Sequence, residues 1–283
     1  MTIGIVLALV AAVGYGASDF VGGFGAKRAS AWAIAFAGQL AGAATILVFS
    51  LVLSGSPSAR DFLWAALAGL GGAFGTAFLY RGLASGNMGT AAPVSAVGAA
   101  ILPVLVGVAL GERPTSIVWL GVLVALPGIW LVSREATPYA GQPRATNRRS
   151  AIIDGGIAGL GFGVLFVGLA QIPSSAGVLP LVASQLLGAV VIVAMAIALK
   201  QPWRASIRRT SWGIGAGAIG AIGTCSYLTA AQLADLGVTA VLTSLYPAFT
   251  VLLAVLVLKE RIHPTQRIGL ATCGAAVVLV ALG

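Results

Sequence analysis

Residues 75–121, GTAFLYRGLASGNMGTAAPVSAVGAAILPVLVGVALGERPTSIVWLG, and residues 223–269, GTCSYLTAAQLADLGVTAVLTSLYPAFTVLLAVLVLKERIHPTQRIG, are two copies of one pattern. Laid on each other without a gap, Gly75 and Thr76 fall on Gly223 and Thr224, Gly89 on Gly237, and Ala92 on Ala240. Glu112 and Arg113 fall on Glu260 and Arg261, and Gly121 on Gly269. Glycine and alanine matches are cheap in a chain with 39 glycines, but the Glu-Arg match is not. Upstream the likeness continues at slightly different offsets. Gln39-Leu40-Ala41-Gly42-Ala43 lies on Gln185-Leu186-Leu187-Gly188-Ala189, and Gly14-Tyr15-Gly16 on Gly161-Phe162-Gly163. The chain reads as a duplication, with halves at 1–133 and 151–283 joined by a hydrophilic linker, 134–150.

Composition says what solvates these halves. Hydrophobic residues make up 59% of the 283 positions and charged residues 8%, with a mean hydropathy of +1.02. A soluble domain carries about 25% charge, so lipid must cover most of this surface. A membrane-spanning helix needs about 20 mostly apolar residues. Ten such runs are present, at 2–24, 31–53, 62–84, 88–110, 116–133, 151–170, 177–199, 211–234, 237–258 and 266–282. The first lacks a basic leader and is long enough to span, so it reads as a retained helix and not a cleaved signal peptide. Small residues such as Gly71, Gly72 and Gly75 let helices approach closely where no hydrophobic effect drives association. The expected fold is an all-α integral membrane protein of ten transmembrane helices.

Five spans per half is an odd number, so the second half enters the bilayer upside down relative to the first. Inverted repeats are the architecture of many secondary transporters and place a site near the midplane, between the halves. Two near-equal packings of such a bundle give alternating access.

Several function classes are disfavoured. The net charge of +9 comes from short gaps such as Arg144, Arg148 and Arg149, which suit a membrane surface better than nucleic acid. No Gly-x-x-x-x-Gly-Lys-[Ser/Thr] run is present, so no ATP-driven step is implied. Cys225 and Cys273 fall in apolar runs and read as packing residues, and His263 lies in a charged gap. No catalytic cluster, metal site or cofactor is implied. The expected partners are a small-molecule substrate and membrane lipid, with the chain a monomer or weak homodimer.

With these motifs in place, the chain resembles the EamA-type transporters of the drug/metabolite transporter superfamily over nearly its whole length. Ala91-Ala92-Pro93-Val94-Ser95 through Leu110-Gly111-Glu112-Arg113 carries the resemblance in the first half. Ala240 to Pro247 through Leu258-Lys259-Glu260-Arg261 carries it in the second. The resemblance implies two inverted five-helix repeats around a central cavity lined largely by the third, fourth, eighth and ninth spans, with the first and sixth nearby. It also implies substrates ranging over amino acids, drugs, choline-like cations and other metabolites. The chain departs from the family where Tyr15 stands in place of a frequent Trp, and where Asp19 puts an acid into the first span.

Charges inside a span are costly and usually face a cavity or a partner. Asp19 and Arg81 read as intramembrane charges at similar depth, which suggests a salt bridge between them. Their repeat mates are Phe166 and Thr229, so the second copy manages without either charge. Both fit a substrate-binding or coupling role, and both also fit a structural ion pair or snorkelling side chains. Gln39 and Gln185, present in both halves, suggest an interhelical hydrogen bond ahead of a substrate-binding or coupling role. Tyr15, Tyr80, Tyr227 and Tyr246 fit either substrate stacking or interfacial anchoring. Ser95, Thr243 and Ser244, beside Pro93 and Pro247, fit either a cavity wall or a packing kink. Glu112 and Glu260 read as interfacial structural charges.

Of the basic residues, 13 fall in the odd-numbered gaps and 2, Arg60 and Arg113, in the even ones, with Arg81 set aside. The positive-inside rule then places the odd gaps in the cytoplasm and both termini outside, for a multi-pass protein of the plasma (inner) membrane. The expectation is a secondary transporter for a small metabolite or drug-like solute, with Asp19 as the acid placed for proton coupling. A facilitative, channel-like permease is the alternative, and a membrane enzyme the weakest reading.

Overall fold

A computed structural model describes residues 2–26, 28–84, 88–133, 148–259 and 263–283. Its described residues form helices and connecting turns: α1 (Thr2–Ala26), α2 (Ala31–Ser50), α3 (Ala59–Ala84), α4 (Met88–Ala109), α5 (Ser116–Ser133), α6 (Arg148–Ala170), α7 (Leu179–Ala198), α8 (Ile207–Ala231), α9 (Leu236–Thr243), α10 (Tyr246–Leu258) and α11 (Pro264–Leu282). Ten segments are long and apolar enough to cross a membrane, with α9 and α10 together making one of them. Most of the linker, together with Lys27, Glu260 and Arg261, lies outside the described residues.

The ninth span differs from the continuous run expected. It breaks at Ser244 and Leu245, just before Pro247. Pro247 has no N–H, and its ring clashes with the carbonyl four residues earlier, while its fixed φ suits the first turn of a new helix. The corresponding α4 carries Pro93 and Pro103 yet runs on through both.

The two halves are entwined. α1 packs chiefly on α8, α6 on α3 and α4, α5 on α11, and α2 on α7 and α8. These pairings follow the repeat: α1 against α8 is the counterpart of α6 against α3, while α2 with α7 and α5 with α11 pair an element with its own mate. Glycine makes the tightest of them possible. A Cβ on Gly217 of α8 would lie 2.7 Å from the Cα of Gly38 on α2, so no larger residue fits at that crossing.

The chain alternates across the membrane, so the two ends of the bundle can be compared. At the end where Thr2 lies, the α2–α3 connection is bonded to the turn before α7. Ser56 N donates to Ser175 O at 2.8 Å and Val178 N to Leu53 O at 3.4 Å. At the same end Glu112, just after α4, accepts from Leu236 N at 2.5 Å and from Gly237 N at 3.1 Å. The first turn of a helix exposes unbonded N–H groups and the positive end of its dipole, so Glu112 caps α9 across the repeat boundary. Glu112 is thus a structural charge at the end of its span, the cap of α9.

The opposite end is tied by side chains. Phe36 meets the Trp203 ring edge-on at 5.5 Å, Phe24 meets Trp212 at 4.9 Å, and the Arg28 guanidinium lies 3.9 Å over Phe24. Arg81 forms a bidentate pair with Asp154 on α6. This corrects the Asp19–Arg81 pair suggested by depth. Asp154 is 3% exposed and Arg81 is 39% exposed, with its guanidinium 4.3 Å over Phe78.

Candidate functional site

A cavity of about 120 Å³ lies where α1, α2, α3, α6, α7 and α8 converge, with Tyr246 at the start of α10 closing one edge. Its walls obey the repeat. Tyr15 faces it with its mate Phe162, Asp19 with Phe166, Gln39 with Gln185, Ala68 with Ala216, Gly72 with Gly220, and Thr76 with Thr224. The cavity therefore sits on the pseudo-twofold axis between the halves.

The symmetry then fails in one direction. Ile34, Ala35 and Tyr80, near the end of the bundle away from Thr2, also line the cavity. Their mates Pro180, Leu181 and Leu228 do not, and Leu181 and Leu228 sit in a packed apolar cluster with Ile46, Ile172 and Tyr227. The space is skewed away from the end sealed by the Ser56–Ser175 hydrogen bond.

Polar groups in the wall are mostly bonded to helix backbone or to each other. Ser18 Oγ donates to Ala216 O at 2.8 Å, Thr224 Oγ1 to Gly220 O at 3.0 Å, and the Tyr15 hydroxyl to Thr224 Oγ1 at 3.1 Å. The Tyr15 ring lies 6.0 Å from that of Phe166, which stacks on Tyr227 at 4.5 Å. The two glutamines interlock crosswise. The Gln39 amide nitrogen lies 2.7 Å from where a Cβ on Gly188 would stand, and the Gln185 amide lies against Gly42 in the same way. Among the described residues the two amides make no hydrogen bond to each other. Each instead fills the gap left by the other helix's glycine, with its polar end at the cavity.

Six of the eleven residues picked from the sequence line this space: Tyr15, Asp19, Gln39, Tyr80, Gln185 and Tyr246. Five do not. Arg81 is held by Asp154. Tyr227 is fully buried and donates to Phe166 O at 3.1 Å. Thr243 is buried and donates to Ala8 O at 3.3 Å. Ser95 and Ser244 are buried, and their hydroxyls have no partner among the described residues. The wall also differs from the expected set of spans: α2 and α7 contribute, the ninth span reaches it only through Tyr246, and α4 does not. Ser18, Thr76, Phe162, Phe166, Ser184 and Thr224 were not anticipated. Thr76 and Thr224 could have been, because they are matched polar residues in two apolar spans.

The remaining candidates for chemistry are occupied elsewhere. His263 caps α11, with its Nδ1 accepting from Thr265 N at 3.4 Å, while Gln266 Oε1 accepts from His263 N at 3.1 Å. Cys225 and Cys273 are buried and free. Among the described residues no three His, Cys, Asp or Glu side chains gather as metal ligands.

An inverted-repeat helical bundle with a cavity on its pseudo-twofold axis has the architecture of a membrane carrier. The EamA-like transporter family model matches residues 2–134 and again 150–282. The chain belongs to the EamA-like transporter family and is a membrane transporter of the drug/metabolite transporter superfamily. A search of curated proteins finds no match. A solved structure titled only as the crystal structure of a protein has the same fold, with a TM-score of 0.74 at 18% identity over 100% of this chain and 97% of that one.

Proposed function

We infer that the protein is a secondary transporter that carries a small metabolite or drug-like solute by alternating access, with Asp19 coupling movement to protons. The observation that carries this reading is the skewed cavity. Two halves of matching sequence surround a space on their axis, yet one end is closed by backbone hydrogen bonds and buried Leu181 and Leu228 while the space reaches toward the other. Exchange of the two halves' conformations would close the Ile34 and Tyr80 end and open the other, which is what alternating access requires. By the charge count, the present state reaches toward the cytoplasm and both termini lie outside.

The experiment uses cysteines at Ser56 and Ser175, introduced together in protein reconstituted into vesicles. A ligand is first identified by thermal shift across amines, amino acids, sugars and lipophilic cations. Oxidation of the pair holds the Thr2 end closed and should abolish saturable uptake of that ligand, and reductant should restore it. Asp19→Asn should remove the acceleration produced by an imposed proton gradient. Non-saturable flux that survives cross-linking would show a channel instead.

A further inference from the structure

The charge balance of the cavity points to the class of solute, given the transport reading above. Among the described residues that line it, Asp19 carries the only charge. No described Lys or Arg lines the cavity; of those at that end of the bundle, Arg81 is held by Asp154 and Phe78, and Arg28 lies over Phe24 and Trp212. Asp19 has no ion pair or hydrogen bond among the described residues. Two of the neighbouring hydroxyls are committed elsewhere: Ser18 donates to Ala216 O, and Tyr15 to Thr224, which itself donates to Gly220 O.

A half-buried carboxylate without donors is unfavourable until a cation or proton meets it. The rest of the wall suits a cation with an apolar body. Tyr15, Tyr80, Phe162, Phe166 and Tyr246 supply aromatic surface around it, and aromatic faces attract ammonium groups. A lone carboxylate is too few oxygen ligands for a divalent metal ion, and an anion would meet uncompensated negative charge. We propose that the cavity binds a small organic monocation, with its ammonium at the Asp19 carboxylate and its body among Tyr15, Tyr80, Phe162 and Phe166. The Gln39 and Gln185 amides are the groups placed to meet a polar substituent.

Three molecules of one skeleton test this: 2-phenylethylamine, 2-phenylethanol and phenylacetate, titrated by calorimetry into the purified protein at mildly alkaline pH, with choline as a second cation. The amine should bind at least about tenfold tighter than the alcohol, a preference of about 1.4 kcal/mol, and phenylacetate weakest of all. Asp19→Asn should bring amine and alcohol within about twofold of each other. Asp235→Asn, which alters an exposed carboxylate outside the cavity, should leave the preference intact. The proposal is overturned if the alcohol or the anion binds as well as the amine, if Asp19→Asn keeps the preference, or if neither cation binds at millimolar concentration. Counterflow in vesicles separates this from the transport reading. Binding of the amine without counterflow removes transport and leaves the cation site, whereas saturable flux of a neutral or acidic solute without amine binding removes the cation site and leaves transport.

Discussion

The Arg81–Asp154 pair joins two groups in unequal surroundings, and its two halves should not be equally dispensable. Asp154 is 3% exposed, so Arg81→Gln leaves a carboxylate buried between α3 and α6 without its counter-charge. Breaking a buried pair from that side costs about 3–5 kcal/mol. Arg81 is 39% exposed and keeps its contact with the Phe78 ring at 4.3 Å. Asp154→Asn therefore leaves a cation that can turn to the interface, a loss closer to an exposed pair, about 1 kcal/mol. The expected gap between the single variants is about 2–4 kcal/mol, and the double variant should be less damaged than Arg81→Gln alone. Equilibrium unfolding by SDS in mixed micelles, followed by loss of helical circular dichroism, measures all three. Equal losses, or a larger loss for Asp154→Asn, would refute the assignment of Asp154 as the buried member of the pair.

Other positions give sharper contrasts. Gly217→Ala should reduce the yield of folded protein and its thermal midpoint, because its Cβ would meet the Gly38 backbone, whereas Gly23→Ala, where nothing lies within 4 Å, should be neutral or slightly stabilising; size-exclusion profiles and melting curves of the two compare them. Glu112→Gln weakens two charge-assisted bonds to the start of α9 and should cost about 1–2 kcal/mol, read as a lowered melting midpoint. A fluorescent reporter that matures only in the cytoplasm, fused after Gly283, should stay dark if both termini lie outside; bright cells would reverse the orientation.

The spans were legible because each is a continuous apolar run, and the inverted pairing because Glu112-Arg113 and Glu260-Arg261 are too costly a coincidence in so apolar a chain. The break before Pro247 was not, since Pro93 and Pro103 in α4 leave their helix continuous and nothing local distinguishes them. Asp154 escaped notice although it falls inside the sixth run, because three residues from a predicted end it looks like a boundary charge. Its pairing with Arg81 spans 73 residues and depends on α3 meeting α6, which no local pattern encodes. Gln39 and Gln185 were singled out for a bond, but their small partners Gly42 and Gly188, one turn further along each helix, were read only as part of the repeat match. Small residues mark a face for close approach without naming the helix that approaches.

The entwined pairing of helices bears on how the chain assembles. α1 has its chief neighbour in α8 and α5 in α11, so the helices made first wait for helices made much later. When the ribosome has delivered only the first five spans, their glycine-lined faces meet lipid instead of one another. The early half is then an insertion product without a core of its own, and its lifetime in the membrane depends on how quickly the second half arrives. A stalled or truncated chain should accordingly be a better substrate for membrane proteases than the complete one.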